Sequence, residues 1–244
     1  IGDIAYFTTT PNHIQEIQKL SGETEAEIHK IMIMGGSRIA IRISSYAPDN
    51  MAIKLIECDK QKSYKLAEYM NDIIIIQGDG RNVDLLKEEG IRDMDAFIAL
   101  TDSSETNILA CLTAKELGVK KTIAEVENIQ FISTAERLNI GNIINKKLLA
   151  ASRIFQLLLD EDSSNAKCLA LSDAEVVELV AKENSKITKA AVKDLKLPSD
   201  LTIGGLVRNG HGMVVTGNTW IQPNDHVVIF CLDTALHKIE KLFN

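Results

Sequence analysis

Between Ile31 and Asn145, short runs of consecutive apolar residues alternate with longer stretches whose apolar positions recur every three or four residues. The runs predict strands at 31–34, 52–56, 73–76, 96–100, 122–126 and 142–144, and the periodic stretches predict helices at 38–45, 62–70, 83–89, 105–117 and 130–138. Unbroken Ile/Val-rich runs belong to strands buried on both faces. The expected fold class is therefore α/β, with a parallel sheet flanked by helices. A strongly apolar stripe over 146–160 (Leu148, Leu149, Ile154, Leu157, Leu158) predicts one more helix, which packs on the sheet or crosses to another subunit, and the polar run 161–165 reads as a boundary.

Beyond that boundary the pattern changes to a smaller α+β unit. Strands are expected at 168–171, 176–181 and 226–231, a short helix at 190–195, and a last helix at 234–242. Residues 206–208 and 213–215 flank Asn209-Gly210-His211-Gly212 and predict a hairpin with an Asn-Gly turn. The first twenty residues look like the last twenty: with Asp3 set against Asp225, Ile17 meets Ile239, Lys19 meets Lys241 and Leu20 meets Leu242. Both windows read as an acid, a short apolar strand and a helix, the signature of a repeat. The chain is therefore expected to be the later part of a longer polypeptide, with 1–29 the tail of a preceding unit and its linker, 30–162 one domain and 163–244 another.

Composition narrows the function. The 244 residues carry 27 Lys+Arg against 34 Asp+Glu, and the basic residues are scattered or paired, so no nucleic-acid footprint is present. Cys58, Cys111, Cys168 and Cys231 are far apart, without metal-ligand spacing, and read as reduced thiols of a cytosolic protein. No segment approaches the roughly 18 apolar residues of a membrane helix, so a membrane role is expected to come through a partner.

Candidate chemistry lies in the first β-α-β stretch. Gly35-Gly36-Ser37 turns the chain out of the first strand, and Glu57 closes the second strand 22 positions after Gly35. A nucleotide site uses these parts: glycine where the backbone must bend, helix-start N–H groups for a pyrophosphate, and an acid for ribose hydroxyls. Against G-x-G-x-x-G the aligned residues are Gly35, Ser37 and Ala40, and the Ser37 side chain is expected in the space of a pyrophosphate. The other reading of this stretch is a β-α-β crossover whose phosphate site has decayed.

Ligands of parallel sheets sit beyond the carboxyl ends of the strands, where strand order reverses. That rule adds Asp79 and Gly80, Thr101 and Asp102, and Glu125, each of which also has an ordinary turn or cap reading. Arg38 is a cation in the first turn of a helix, where the helix dipole disfavours it, and it suits either a ligand phosphate or solvent.

Residues 33–39, 54–57, 78–80, 95–101, 105–107, 197–198 and 225–228 occur in the order found in the RCK (regulator of K+ conductance) family. The chain resembles the cytosolic regulatory subunits of Trk-type bacterial potassium uptake, from about Lys30 to Asn244. The resemblance implies a Rossmann-like domain binding NAD or NADH, with ATP or ADP as the alternative, followed by an RCK C-terminal subdomain. It implies Gly35, Gly36, Ser37, Arg38 and Ile39 at the phosphates, Glu57 at the ribose, and Asp79, Gly80, Thr101, Asp102 and Glu125 around the rest of the pocket. It also implies a homo-oligomer, dimer or tetrameric ring, cytoplasmic and held at the inner face of the membrane by an integral potassium channel or transporter subunit. No catalytic or metal-ligating residue is expected. Ser37 and Ala40, where relatives usually keep glycine, leave open a structural repeat that no longer binds nucleotide. An NAD-dependent oxidoreductase is the competing class, though none of His13, His29, His211, His226 and His237 falls in the β-α-β region where hydride chemistry would need a proton donor.

Overall fold

The computed structural model describes residues 9, 11–21, 27–158, 165–168, 174–232 and 236–243. The chain divides into two compact units, one of residues Glu25–Leu149 and one of Ile1–Thr24 with Ala150–Asn244.

In the first unit, six strands form a sheet: β1 (Lys30–Met34), β2 (Ala52–Glu57), β3 (Ile74–Gln77), β4 (Ala96–Ala99), β5 (Lys121–Glu125) and β6 (Asn142–Ile144). The order is β3-β2-β1-β4-β5-β6, and every pair is parallel. The expected α/β class is borne out. Helices α2 (Arg38–Tyr46), α3 (Lys60–Tyr69), α4 (Val83–Glu88), α5 (Ser104–Glu116) and α6 (Ile129–Arg137) make the crossovers.

Both faces of β1 are apolar, and alternation sorts them. Ile31 and Ile33 pack with Ala40 of α2 and Leu66 of α3, while Met32 and Met34 pack with Leu86, Ala110, Cys111 and Ile132 on the opposite face. The chain reaches one face from β1 and β2 and the other after β3 and β4. Strand order therefore reverses between β1 and β4, and their carboxyl ends part to leave a cleft.

Caps fix where the helices begin. Asp59 accepts from Lys62 N at 2.7 Å, so α3 starts two residues before the predicted 62. Ser103 caps α5 and Asn128 caps α6 in the same way. Asn145 caps the start of α7 (Lys146–Leu158) at Leu148 N, and its amide donates to Val126 O and Glu127 O.

The second unit carries an antiparallel sheet of order β10-β9-β11-β8-β7, from β7 (Asn165–Cys168), β8 (Ala174–Val180), β9 (Leu201–Arg208), β10 (His211–Val214) and β11 (His226–Leu232). Asn209 and Gly210 both have positive φ, +51° and +80°, which is the backbone an Asn-Gly hairpin turn requires. Arg208 grips Asp225 with two hydrogen bonds, Nε to Oδ1 at 2.8 Å and a terminal nitrogen to Oδ2 at 2.6 Å, and Asp225 is buried. Ile239 and Phe243 of α8 (Leu236–Phe243) join this core.

Three expectations change. The strand predicted at 168–171 runs instead from Asn165 to Cys168, and 169–171 lie outside the described residues. The helix predicted at 190–195 is a single 3-10 turn, Val192–Asp194. Val192 N and Lys193 N donate to Thr219 O and Gly217 O, so these amides serve a neighbouring loop and no helix extends through them. Strand β9 begins at Leu201, five residues before the predicted hairpin arm. At the N-terminus, α1 (Ile14–Ser21) matches the predicted helix, and the short strand expected before it lies outside the described residues.

Candidate functional site

The turn after β1 depends on missing side chains. Gly35 has φ +98°, and a Cβ there would lie 2.9 Å from the carbonyl oxygen of Leu100. Only glycine adopts this conformation without strain. A Cβ on Gly36 would lie 2.4 Å from Leu66 Cδ1 and 2.9 Å from Glu57 Oε2, and one on Gly80 would lie 2.4 Å from Met34 Cγ. Bare backbone at these positions lets three loops close over the strand ends.

The resulting cleft encloses about 340 Å³. Gly35, Gly36, Ser37, Glu57, Asp79, Gly80, Thr101 and Asp102, eight of the residues anticipated from sequence, line it together. Arg38, Ile39 and Glu125 do not. Arg38 and Ile39 line a separate groove on α2 beside Arg42, Tyr46 and Met51, and their backbone N–H groups open the helix. Those N–H groups, in the helix's first turn, have no partner inside the helix. Glu125 is buried and bonds Lys146 Nζ at 2.5 Å; the same ammonium reaches Glu127 at 2.8 Å. Both carboxylates push the Lys146 ammonium's pKa well above the ordinary lysine range.

Glu57 is buried and fully engaged. Its Oε2 accepts from Gly36 N at 2.9 Å and from Lys62 Nζ at 2.8 Å, and its Oε1 accepts from Asp59 N at 2.9 Å. Burial alone would raise its pKa, but the Lys62 ammonium and the two amides outweigh burial and hold the carboxyl below its ordinary value. The glycine turn thus already holds an anionic oxygen, one from the chain itself. Its polarity fits an anion, and the acid at the end of β2 stands where the fold places a ribose-binding group.

The other lining groups are similarly committed. Asp79 is held by Arg81 through two guanidinium nitrogens, with the closest contact 2.7 Å, and this guanidinium keeps its carboxyl below the usual range. The Thr101 hydroxyl donates to Asn107 Oδ1 at 2.6 Å and its oxygen accepts from Ser103 N at 3.4 Å, so its proton is committed and a second lone pair is left to accept. Asn107 is fully buried and also receives Thr101 N at 3.0 Å, while its amide donates to Thr101 O at 2.9 Å and Glu125 O at 2.8 Å. Ser37 caps α2, its hydroxyl oxygen accepting from Ala40 N at 3.3 Å. Cys58, next to Glu57, is a free thiol at the rim whose pKa is pushed up by burial and by Glu57. Among the described residues no histidine lines the cleft.

Lys62, Arg81 and Asn107 were not anticipated as site residues. The signal for Lys62 was present in the sequence: like Arg38, it is a cation in a helix's first turn, five residues after the acid it pairs with. Among the described residues no group of three or more His, Cys, Asp or Glu side chains is placed to hold a metal ion, and no helix is long and apolar enough to cross a membrane.

Comparison with known proteins follows the same division. Residues 31–146 match the TrkA-N domain and 176–244 the TrkA-C domain. The Trk system potassium uptake protein TrkA of Vibrio alginolyticus is 31% identical over 245 residues, covering 99% of this chain and 54% of the relative. That of Haemophilus influenzae is 30% identical with the same coverage, and TrkA homolog 1 of Methanosarcina mazei is 27% identical over 96% of this chain. The chain spans about half the length of these curated relatives. Among solved structures, the GsuK RCK domain superposes with a TM-score of 0.52 at 14% identity, over 91% of this chain and 49% of that one, a likeness of fold.

Proposed function

We propose that this chain, which belongs to the TrkA family through its successive TrkA-N and TrkA-C domains, is a regulatory part of a potassium uptake system that senses an adenine nucleotide, NAD or NADH first and ATP or ADP as the alternative. The observation that carries this reading is the cleft at the strand-order reversal, where a glycine turn, a helix N-terminus and the buried acid Glu57 converge. In this assignment the N–H groups from Ser37 to Ile39 hold phosphate oxygens while the Gly36 N–H keeps Glu57 in place, Glu57 accepts from ribose hydroxyls, and Asp79 and Thr101 flank the base and sugar. Residues 30–162 are the nucleotide-binding domain and 163–244 the RCK C-terminal subdomain. Arg38 joins the phosphates by swinging from its groove, and Glu125 acts from behind the cleft through its carbonyl bond to Asn107.

Regulation then needs no catalysis. A ligand shifts a conformational equilibrium only by binding one state better than another, and a ring of such chains converts small closures into force on a membrane partner. The potassium channel or transporter subunit is that partner in this proposal, and it keeps the chain at the cytoplasmic face. A dehydrogenase would need a proton donor near the cofactor, and the cleft offers no histidine for it.

The decisive experiment is calorimetric titration of the chain with NAD, NADH, ATP and ADP. Saturable 1:1 binding that is lost in Gly35→Ala supports the sensor. Failure of all four to bind leaves the second reading, a structural repeat, which the self-satisfied state of Glu57 favours.

A further inference from the structure

Lys62 stands where a ligand would come. Its Nζ is 2.8 Å from the same Glu57 oxygen that accepts the Gly36 N–H, and its Cε lies 3.5 Å from the Cβ position of Gly36. The ammonium therefore lies across the glycine turn, holding the carboxylate that a ribose would claim. It is half exposed, at 50%, while Glu57 is at 5%. Structurally the pairing neutralises a buried acid, but it places a cation in the first turn of α3, against the helix dipole.

Charge in the cleft makes that position consequential. Three lining carboxylates, Glu57, Asp79 and Asp102, face two lining cations, Lys62 and Arg81. Arg81 is held by Asp79 through more than one nitrogen, whereas Lys62 makes a single contact with Glu57, directly on the glycine turn. A nucleotide brings two further negative charges or more into a site that is already net acidic.

Resting on the nucleotide reading above, we infer that Lys62 is an exchange residue: it guards Glu57 in the empty cleft, yields that acid to the ribose hydroxyls, and moves to the phosphates. The exchange leaves both partners satisfied, since the diol donates to Glu57 as the ammonium leaves and the ammonium gains a phosphate oxygen. A nucleoside without phosphates offers only half of it. It must dislodge Lys62 and gives the cation nothing in return. The cleft is thereby selective for adenine nucleotides carrying a diphosphate or pyrophosphate over adenosine, and Lys62 sets the ratio.

The test measures that ratio in the 244-residue chain, with ADP affinity taken by calorimetry and adenosine affinity by competition against ADP. Lys62→Met is expected to weaken ADP by about tenfold, as for one charge-assisted hydrogen bond, while adenosine binds as well or better. Lys62→Arg keeps the wild-type ratio, and Lys62→Gln replaces the methionine variant should the latter prove unfolded by its melting curve. An equal change for both ligands, or none, overturns the inference and makes Lys62 merely the counter-ion of Glu57. A wild-type chain that binds neither ADP nor NADH removes the nucleotide reading itself, and the exchange falls with it.

Discussion

Asn107 is the side chain on which the cleft's far wall depends. It is completely buried, and it satisfies three main-chain groups: Thr101 N–H, Thr101 O and Glu125 O, joining the ends of β4 and β5. Asn107→Ala strips all three of their partners. A buried polar group left unsatisfied costs about 1–3 kcal/mol, and some of that returns if water enters, so the expected loss is about 3–5 kcal/mol. Asn107→Asp makes a sharper test, because it keeps the shape and the acceptor but loses the two amide donors. Its carboxylate would face two carbonyl oxygens in a buried site, which raises the folded-state pKa above the unfolded one. A raised folded value contributes stability that is present at acid pH, when the protonated group donates once, and is lost as pH rises through it. The variant should therefore lie closer to wild type at pH 4 than at pH 8 in urea unfolding followed by circular dichroism. A loss below about 1 kcal/mol in the alanine variant, or a pH-independent difference in the aspartate variant, would refute the assigned network.

Further outcomes follow from single groups. Gly35→Ala puts a Cβ 2.9 Å from a backbone carbonyl at φ +98°; strain of about 1–3 kcal/mol, read as a lower urea midpoint, should accompany loss of nucleotide binding. Glu57 has a folded pKa below its ordinary 4.5, so its stabilisation is present above that value and drains as pH falls through the folded pKa. Glu57→Gln should flatten the acid limb of the stability profile in acid titrations below pH 5. Asp225→Ala leaves Arg208 without its buried carboxylate and should destabilise the second unit by about 3–5 kcal/mol, while Arg208→Met with Asp225→Leu should recover much of that loss in the same urea assay.

The fold was readable because its strands advertise themselves on both faces: Ile31, Met32, Ile33 and Met34 admit no polar side, and such a run fits a covered parallel strand. The first half of β9 was not readable, because Gly204 and Gly205 look like a loop. In the sheet they are needed, since a Cβ on Gly204 would lie 2.5 Å from the Phe230 ring and one on Gly205 would lie 3.2 Å from Met213 O. The 190–195 segment failed for the opposite reason, having helical composition but amides claimed by residues far along the chain.

The site divides along the same line. Residues that act through backbone geometry or strand position, such as Gly35, Glu57, Asp79 and Thr101, could be placed by counting from strand ends, because the sheet fixes where those ends lie. Residues that act by pairing were not placed this way, although two of the pairs are local, Arg81 holding Asp79 two residues back and Lys62 reaching Glu57 five residues back; only Lys146 depends on the end of β5 meeting the start of α7. Each acid found by position came with a cation: Glu57 with Lys62, Asp79 with Arg81, Glu125 with Lys146. A cleft built from such pairs stays folded when empty, because no buried carboxylate waits on a ligand to be neutralised. Its selectivity must then come from which pair a ligand can profitably open, and of the two pairs lining the cleft, the one at Glu57 has a single bond and a place on the glycine turn.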